Sequence, residues 1–212
     1  MKSSIIGLSL MVLAPIANAS EFVVSYDGFY DRLKVMDKGQ YEYAQINFYL
    51  VDSATLKPCE IKSGKLITEN NSLPLSYTEN AQLLLPLDKQ LDADKAVIVV
   101  EPQNPAHECQ LKMQIEAPSI KLKQLNTAVV KQVNDEFDDL LTNLSGFFIG
   151  KLLSFLLPSQ KGIQIEFEDE VDIPGALCES KTCKISMENN FDSNALKNAE
   201  VEIKNIVPWI AN

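Results

Sequence analysis

Apolar and polar positions alternate with a period of two in a series of short stretches along this chain, the pattern of half-buried β-strands. Residues 21–26, Glu-Phe-Val-Val-Ser-Tyr, form the first stretch, and Asp27-Gly28 breaks it. A short helix is expected next, over residues 30–37, because Phe29, Leu33 and Met36 recur at helical spacing and Asp27 can cap it. From Tyr43 the strand signal returns at 45–51, 59–67, 81–85, 96–101 and 108–115. Asp52-Ser53-Ala54, Glu69-Asn70-Asn71 and Pro102-Gln103-Asn104-Pro105 supply turns between these runs. The spacing predicts an antiparallel Greek-key β-sandwich of roughly seven strands ending near Ala117.

Beyond residue 117 the period changes. Apolar residues fall at Leu122, Leu125, Val129, Val133, Phe137, Leu140, Leu144, Phe148, Leu152 and Phe155, which is 33 residues in nine steps and close to the helical repeat. Pro118 suits the start of this helical segment and Pro158 its end, with Ser145-Gly146 a place for a kink. Alternation resumes with Ile163, Ile165 and Phe167, continues in residues 184–187, and returns in a final run at 199–210. The chain is therefore expected to be α+β in four parts: a signal peptide at 1–19, a β-sandwich at 20–117, an amphipathic helical segment at 118–158 and a small C-terminal β unit at 159–212.

Residues 1–19 read as a leader because Lys2 precedes an apolar stretch from residue 5 to 14, and Ala17-Asn18-Ala19 offers small residues where a signal peptidase reads. The stretch is too short for a membrane-spanning helix, which needs about 20 residues. Cleavage after Ala19 places the protein in the periplasm and moves its formal charge from −10 to −11, since Lys2 leaves with the leader. So acidic a chain, with Arg32 as its single arginine and no basic cluster, lacks the footprint for nucleic acid.

Four cysteines remain, Cys59, Cys109, Cys178 and Cys183, and in an oxidising compartment an even count reads as disulfides with three connectivities open. The favoured pairing is Cys59 with Cys109, in two strand-like segments, and Cys178 with Cys183 across the turn-like Glu-Ser-Lys-Thr. Zinc is the competing reading, but Cys-x4-Cys has no second ligand pair of matching form and His107 is the single histidine, so no metal is expected.

The segment from Tyr26 to Lys34 gathers Asp27, Tyr30, Asp31 and Arg32, a candidate ligand cradle in which the guanidinium grips a carboxylate or phosphate. The blander reading is a capped helix with packed aromatics and an Arg paired to a neighbouring acid. This opening, together with Phe48-Tyr49-Leu50-Val51-Asp52 to Pro58-Cys59, Leu83-Leu84-Leu85-Pro86-Leu87-Asp88 and Ser145-Gly146-Phe147-Phe148 to Leu157-Pro158, resembles a family of uncharacterised exported gammaproteobacterial proteins, a domain of unknown function. The resemblance spans most of the mature chain. It implies a Gram-negative envelope location and brings no activity.

Residues 144–157 hold nine large apolar side chains, one charge (Lys151) and a Gly-x-x-x-Gly at Gly146 and Gly150. Fourteen residues at 1.5 Å span about 21 Å, short of a hydrocarbon core of roughly 30 Å. A buried helix is the bland reading. The other is an interaction helix presenting Phe147, Phe148, Leu152 and Phe155 to lipid or a partner. His107 lies beside Pro105 in an apparent loop, with no Gly-x-Ser-x-Gly turn in the chain to make it the base of a hydrolase. The acidic runs at 134–139 and 166–172 lack the spacing of a calcium hand and read as solvated faces.

These readings predict a periplasmic, non-catalytic binding or interaction protein without a cofactor, whose partner is an envelope protein, a lipid or a small ligand. The alternatives are an envelope-associated protein that uses the helix 144–157, and an enzyme without a recognisable motif, for example a carbohydrate-active one using the acidic residues.

Overall fold

A computed structural model describes residues 21–149, 160–187 and 201–210, with backbone only at 146–149. The leader, 1–19, lies outside them. In chain order the elements are β1 (Phe22–Ser25), α1 (Asp27–Gly39), β2 (Gln45–Asp52), β3 (Ile61–Ile67), β4 (Ser72–Pro74), β5 (Ser76–Tyr77) and β6 (Leu83–Leu84). They continue through α2 (Lys89–Ala93), β7 (Val97–Pro102), β8 (Cys109–Glu116), α3 (Thr127–Ile149), β9 (Gln160–Phe167), β10 (Leu177–Glu179), β11 (Thr182–Ser186) and β12 (Ile203–Ile210).

The fold is mixed α+β, its sheets antiparallel and its first half sandwich-like. One sheet has the order β1-β7-β3-β4. Facing it, β2 pairs β8 from Gln45 opposite Glu116 to Asp52 opposite Cys109, and the β5–β6 hairpin joins β2 through a bridge between Tyr49 and Gln82. Inward side chains of both layers, Ile46, Phe48 and Leu50 with Leu66, Ile98 and Val100, fill the space between them. The C-terminal sheet has the order β10-β11-β9-β12, and the bond from Ala117 N–H to Ile206 C=O (2.9 Å) sets β12 beside the end of β8. Among the described residues one apolar core runs from Tyr26 to Ile206.

The helix α3 lies against α1, β9 and β12 with Val130, Val133, Phe137, Leu140 and Leu144 buried at steps of three and four. Its start differs from the sequence expectation. Residues 118–126 form turns and a 3-10 turn at Leu122–Gln124, and the helix begins at Thr127 because the Asn126 side chain accepts the N–H groups of Ala128 (2.9 Å) and Val129 (3.1 Å). No break occurs at Ser145-Gly146: α3 runs on to Ile149, and Ser145 Oγ donates to the Leu141 carbonyl at 2.6 Å. Asp27 is not the cap of α1 but its first helical residue, accepting from its neighbour Gly28 N–H at 2.7 Å. The expected strand at 81–85 contracts to β6, and β4, β5 and α2 appear as short elements not read from the pattern.

Both disulfides form as the spacing suggests. Cys59 and Cys109 join the flanks of β2 with α-carbons 6.2 Å apart, and Cys178 and Cys183 sit opposite each other in the β10–β11 hairpin at 4.0 Å.

One carboxylate ties α3 to the sandwich. Glu136 accepts the backbone N–H groups of Tyr43 (2.8 Å), Ala44 (2.9 Å) and Glu42 (3.3 Å), and Gln132 Nε2 at 3.0 Å, so a charged acceptor closes the loop that feeds β2. Glu136→Gln leaves one carbonyl oxygen and turns an amide N–H toward those donors. A stability loss of about 1–2 kcal/mol is expected, with faster hydrogen exchange at Tyr43 and Ala44; unchanged exchange there would show that the loop holds without the clamp.

Candidate functional site

Along β2 every second residue turns its N–H and C=O away from β8. Toward the end of the strand those groups are paired: Leu50 N–H donates to Ala81 C=O (3.0 Å), Cys59 N–H to Leu50 C=O (2.9 Å) and Asp52 N–H to Lys57 C=O (2.8 Å). Toward its start the neighbouring strand is drawn aside. Two residues beyond β6, the carbonyl of Pro86 accepts the phenol of Tyr26, which is wholly buried and in turn accepts Asp88 N–H at 3.0 Å. Burial holds the Tyr26 phenol above its ordinary pKa, so it stays a donor. Past the bridge between Tyr49 and Gln82, no pairing of β2 with β6 continues toward Gln45 among the described residues, so the two separate there.

The separation leaves a groove of about 690 Å³. Ile46, Phe48 and Leu83 line it, Leu33 and Met36 of α1 contribute to its wall, and Leu73 and Leu84 stand at its rim 40% and 46% exposed. Inside it, the N–H of Ile46 meets the thioether sulfur of Met36 at 3.3 Å, a weak acceptor where a paired strand would offer a carbonyl. Leu87, one residue past Pro86, is 43% exposed. Exposed apolar side chains gathered around a concave surface are the usual mark of a binding face.

The residues singled out in the sequence lie elsewhere. Asp27, Tyr30, Asp31 and Arg32 occupy the first turns of α1. Asp27 is exposed, its carboxyl held below the ordinary range first by the Ser25 side chain and then by Gly28 N–H. Arg32 Nη1 reaches back 2.5 Å to the Gly28 carbonyl, and Tyr30 lies 6.3 Å from Tyr26 between ring centres with Lys34 Nζ 5.6 Å over its own ring. In the apolar run, Leu144 is buried; the side chains of Phe147 and Phe148, and all of Leu152 and Phe155, lie outside the described residues. Among those described, no helix is long and apolar enough to cross a membrane. His107 is exposed in a 3-10 turn, 3.8 Å from Glu108. No group of three or more His, Cys, Asp or Glu side chains is poised to hold a metal among the described residues.

A second polar feature escaped the sequence reading. Glu116, 3% exposed, accepts hydrogen bonds from Asn47 Nδ2 (2.6 Å), Gln114 Nε2 (2.6 Å) and the Tyr49 phenol, so a buried charge is held by three donors on the outer face of β2 and β8. Burial, and then the Glu116 carboxylate, push the Tyr49 phenol well above its ordinary value near 10. A group whose pKa rises on folding stabilises the fold below its unfolded pKa and ceases to do so as pH climbs through the folded one. Stability is therefore expected to fall above pH ~10, and Tyr49→Phe to make that fall shallower by up to about 1.4 kcal/mol per pH unit. Urea titrations at pH 8 to 11 read the slope, and equal slopes for both proteins would show that Tyr49 ionises freely.

The groove left one trace in the sequence: leucines in a run closed by proline, Leu83-Leu84-Leu85-Pro86-Leu87, too apolar for a strand exposed on one side. A family profile described as protein of unknown function, DUF2987, matches residues 18–167. No curated protein and no solved structure matches the chain.

Proposed function

The chain belongs to this DUF2987 family of unknown function, and since membership carries no activity, we propose from its own surface that it is an exported, periplasmic, non-catalytic protein that binds an apolar ligand or partner segment in the groove between β2 and β6. The observation that carries this reading is the pairing of Leu73 and Leu84, both exposed, at the rim of a groove of about 690 Å³ with an incompletely paired strand at its side. Export draws support from the leader-like residues 1–19 and from two disulfides, which persist in oxidising compartments.

Two measurements test the reading. A photo-reactive amino acid at Leu84 should cross-link a discrete species in living cells, whereas the same group at Val23, 57% exposed on the edge strand β1, should not; equal labelling from both positions overturns the binding role. An apolar fluorescent dye, 1-anilinonaphthalene-8-sulfonate, should bind the purified protein and lose at least half its signal in Leu84→Asp. For export, N-terminal sequencing should begin at Ser20, and a retained Met1 contradicts it.

A further inference from the structure

Resting on that reading of the groove, we propose that its occupant is an extended apolar peptide segment with basic flanks, which adds as a strand to the open half-edge of β2. The backbone sets the mode. Successive outward N–H groups along this edge end on the Glu136 carboxylate at Ala44 (2.9 Å), the Met36 sulfur at Ile46 (3.3 Å), the Ala81 carbonyl at Leu50 (3.0 Å) and the Lys57 carbonyl at Asp52 (2.8 Å). Phe48 turns its N–H to the same side by the alternation of an antiparallel strand. The edge is thus occupied by strong acceptors at both ends, and its weakest partner lies in the groove. An incoming strand supplies the carbonyl that the thioether replaces.

Length and chemistry agree with this. Gln45 to Phe48 span about 14 Å at roughly 3.4 Å per residue, room for a short ladder of the kind seen when peptides add to sheet edges. Alternate side chains of the added strand enter a cavity walled by Leu83, Leu75 and Phe48, while the others face solvent. Among the described residues that line the groove Asp88 is the ionisable one, on a chain of formal charge −10, so basic residues flanking the segment gain by complementarity and acidic ones are repelled.

The test uses a fluorescein-labelled peptide, Lys-Lys-Val-Thr-Val-Thr-Val-Lys-Lys, and the intact mature protein in an anisotropy titration. Saturable binding is expected. Methylating the backbone nitrogens on the ladder-facing register should weaken it at least tenfold, methylating the other register less than twofold, and exchanging the four lysines for glutamate at least fivefold. Leu84→Asp and Leu73→Asp, both at the exposed rim, should each weaken it tenfold, and Asp88→Asn, which retains a capping side chain for α2, about twofold to threefold. Equal binding of the two methylated peptides overturns strand addition. Failure of the lysine-flanked peptide while the dye still depends on Leu84 overturns the peptide proposal and leaves the binding role standing; failure of both removes both. Self-association that Leu84→Asp abolishes in sedimentation would make a second copy the occupant and equally overturns the proposal.

Discussion

Gly162→Ala is expected to unfold the C-terminal sheet. Gly162 sits in β9, the strand with β11 on one side and β12 on the other, opposite Ser186 and Trp209. Its φ is +156°, a backbone conformation open to glycine and strained for any residue with a β-carbon. Space forbids the change as well: a β-carbon there would lie 1.9 Å from the Ile185 carbonyl oxygen and 2.9 Å from its carbon. These are backbone atoms, so no side chain can rotate away and β11 itself must move. Strain of about 1–3 kcal/mol adds to an overpacking cost of similar size. Because Ile163, Ile165 and Ile185 belong to the same core as Phe137, displacement of β11 loosens the seat of α3. Urea denaturation should show a loss of at least 3 kcal/mol, or a separate early transition by tryptophan fluorescence, since Trp209 lies on β12. A loss under 1 kcal/mol would mean that the β9–β11 ladder reshapes at little cost.

What the sequence made legible follows how local each signal is. Ile163, Ile165 and Phe167 alternate with polar residues, and all three are fully buried on β9. Ile46, Phe48 and Leu50 do the same on β2, and Val133, Phe137, Leu140 and Leu144 mark the buried stripe of α3. The disulfide pairing was readable because each cysteine stood beside a strand signal or a turn. The helix start is ambiguous in the sequence because Leu122 and Leu125 are three apart, a spacing that a 3-10 turn shares with an α-helix. The short strands β4 and β5 span three and two residues, too few for a period to register.

The groove was not legible for a physical reason. Its wall at Pro86 is held by the Tyr26 phenol on a carbonyl 60 residues along the chain, and no pattern in either segment announces that bond. Met36 contributes to both readings: its helical spacing marks it as facing the fold, yet what it meets there is the N–H of Ile46 at 3.3 Å. Glu116 occupies a polar position at the end of an alternating strand, and its burial follows from donors on both strands and from β12 arriving beside it through Ala117 and Ile206. Arg32, conspicuous as the single arginine, reaches back along its own helix to Gly28.

Removing the Cys59–Cys109 bridge, as Cys59→Ala with Cys109→Ala, should cost about 4 kcal/mol, against about 2 for the equivalent change at Cys178 and Cys183. The sequence separations are 50 and 5 residues, and the chain entropy that a crosslink withholds from the unfolded state grows with the logarithm of the loop. Native packing points the same way. Cys59 donates its N–H to Leu50 at 2.9 Å and Cys109 faces Asp52, so the long bridge staples both flanks of β2, whose open half forms the side of the groove. Cys59 is fully buried, whereas Cys178 is half-exposed, so a mild thiol reductant should open the hairpin bridge first and leave the sandwich folded. Peptide mapping at increasing dithiothreitol reads that order, and urea midpoints of the two double variants read the energies. A Cys59/Cys109 variant losing less than 2 kcal/mol would mean that the unfolded chain already keeps β2 and β8 together, and the loop-entropy account of this sandwich would fail.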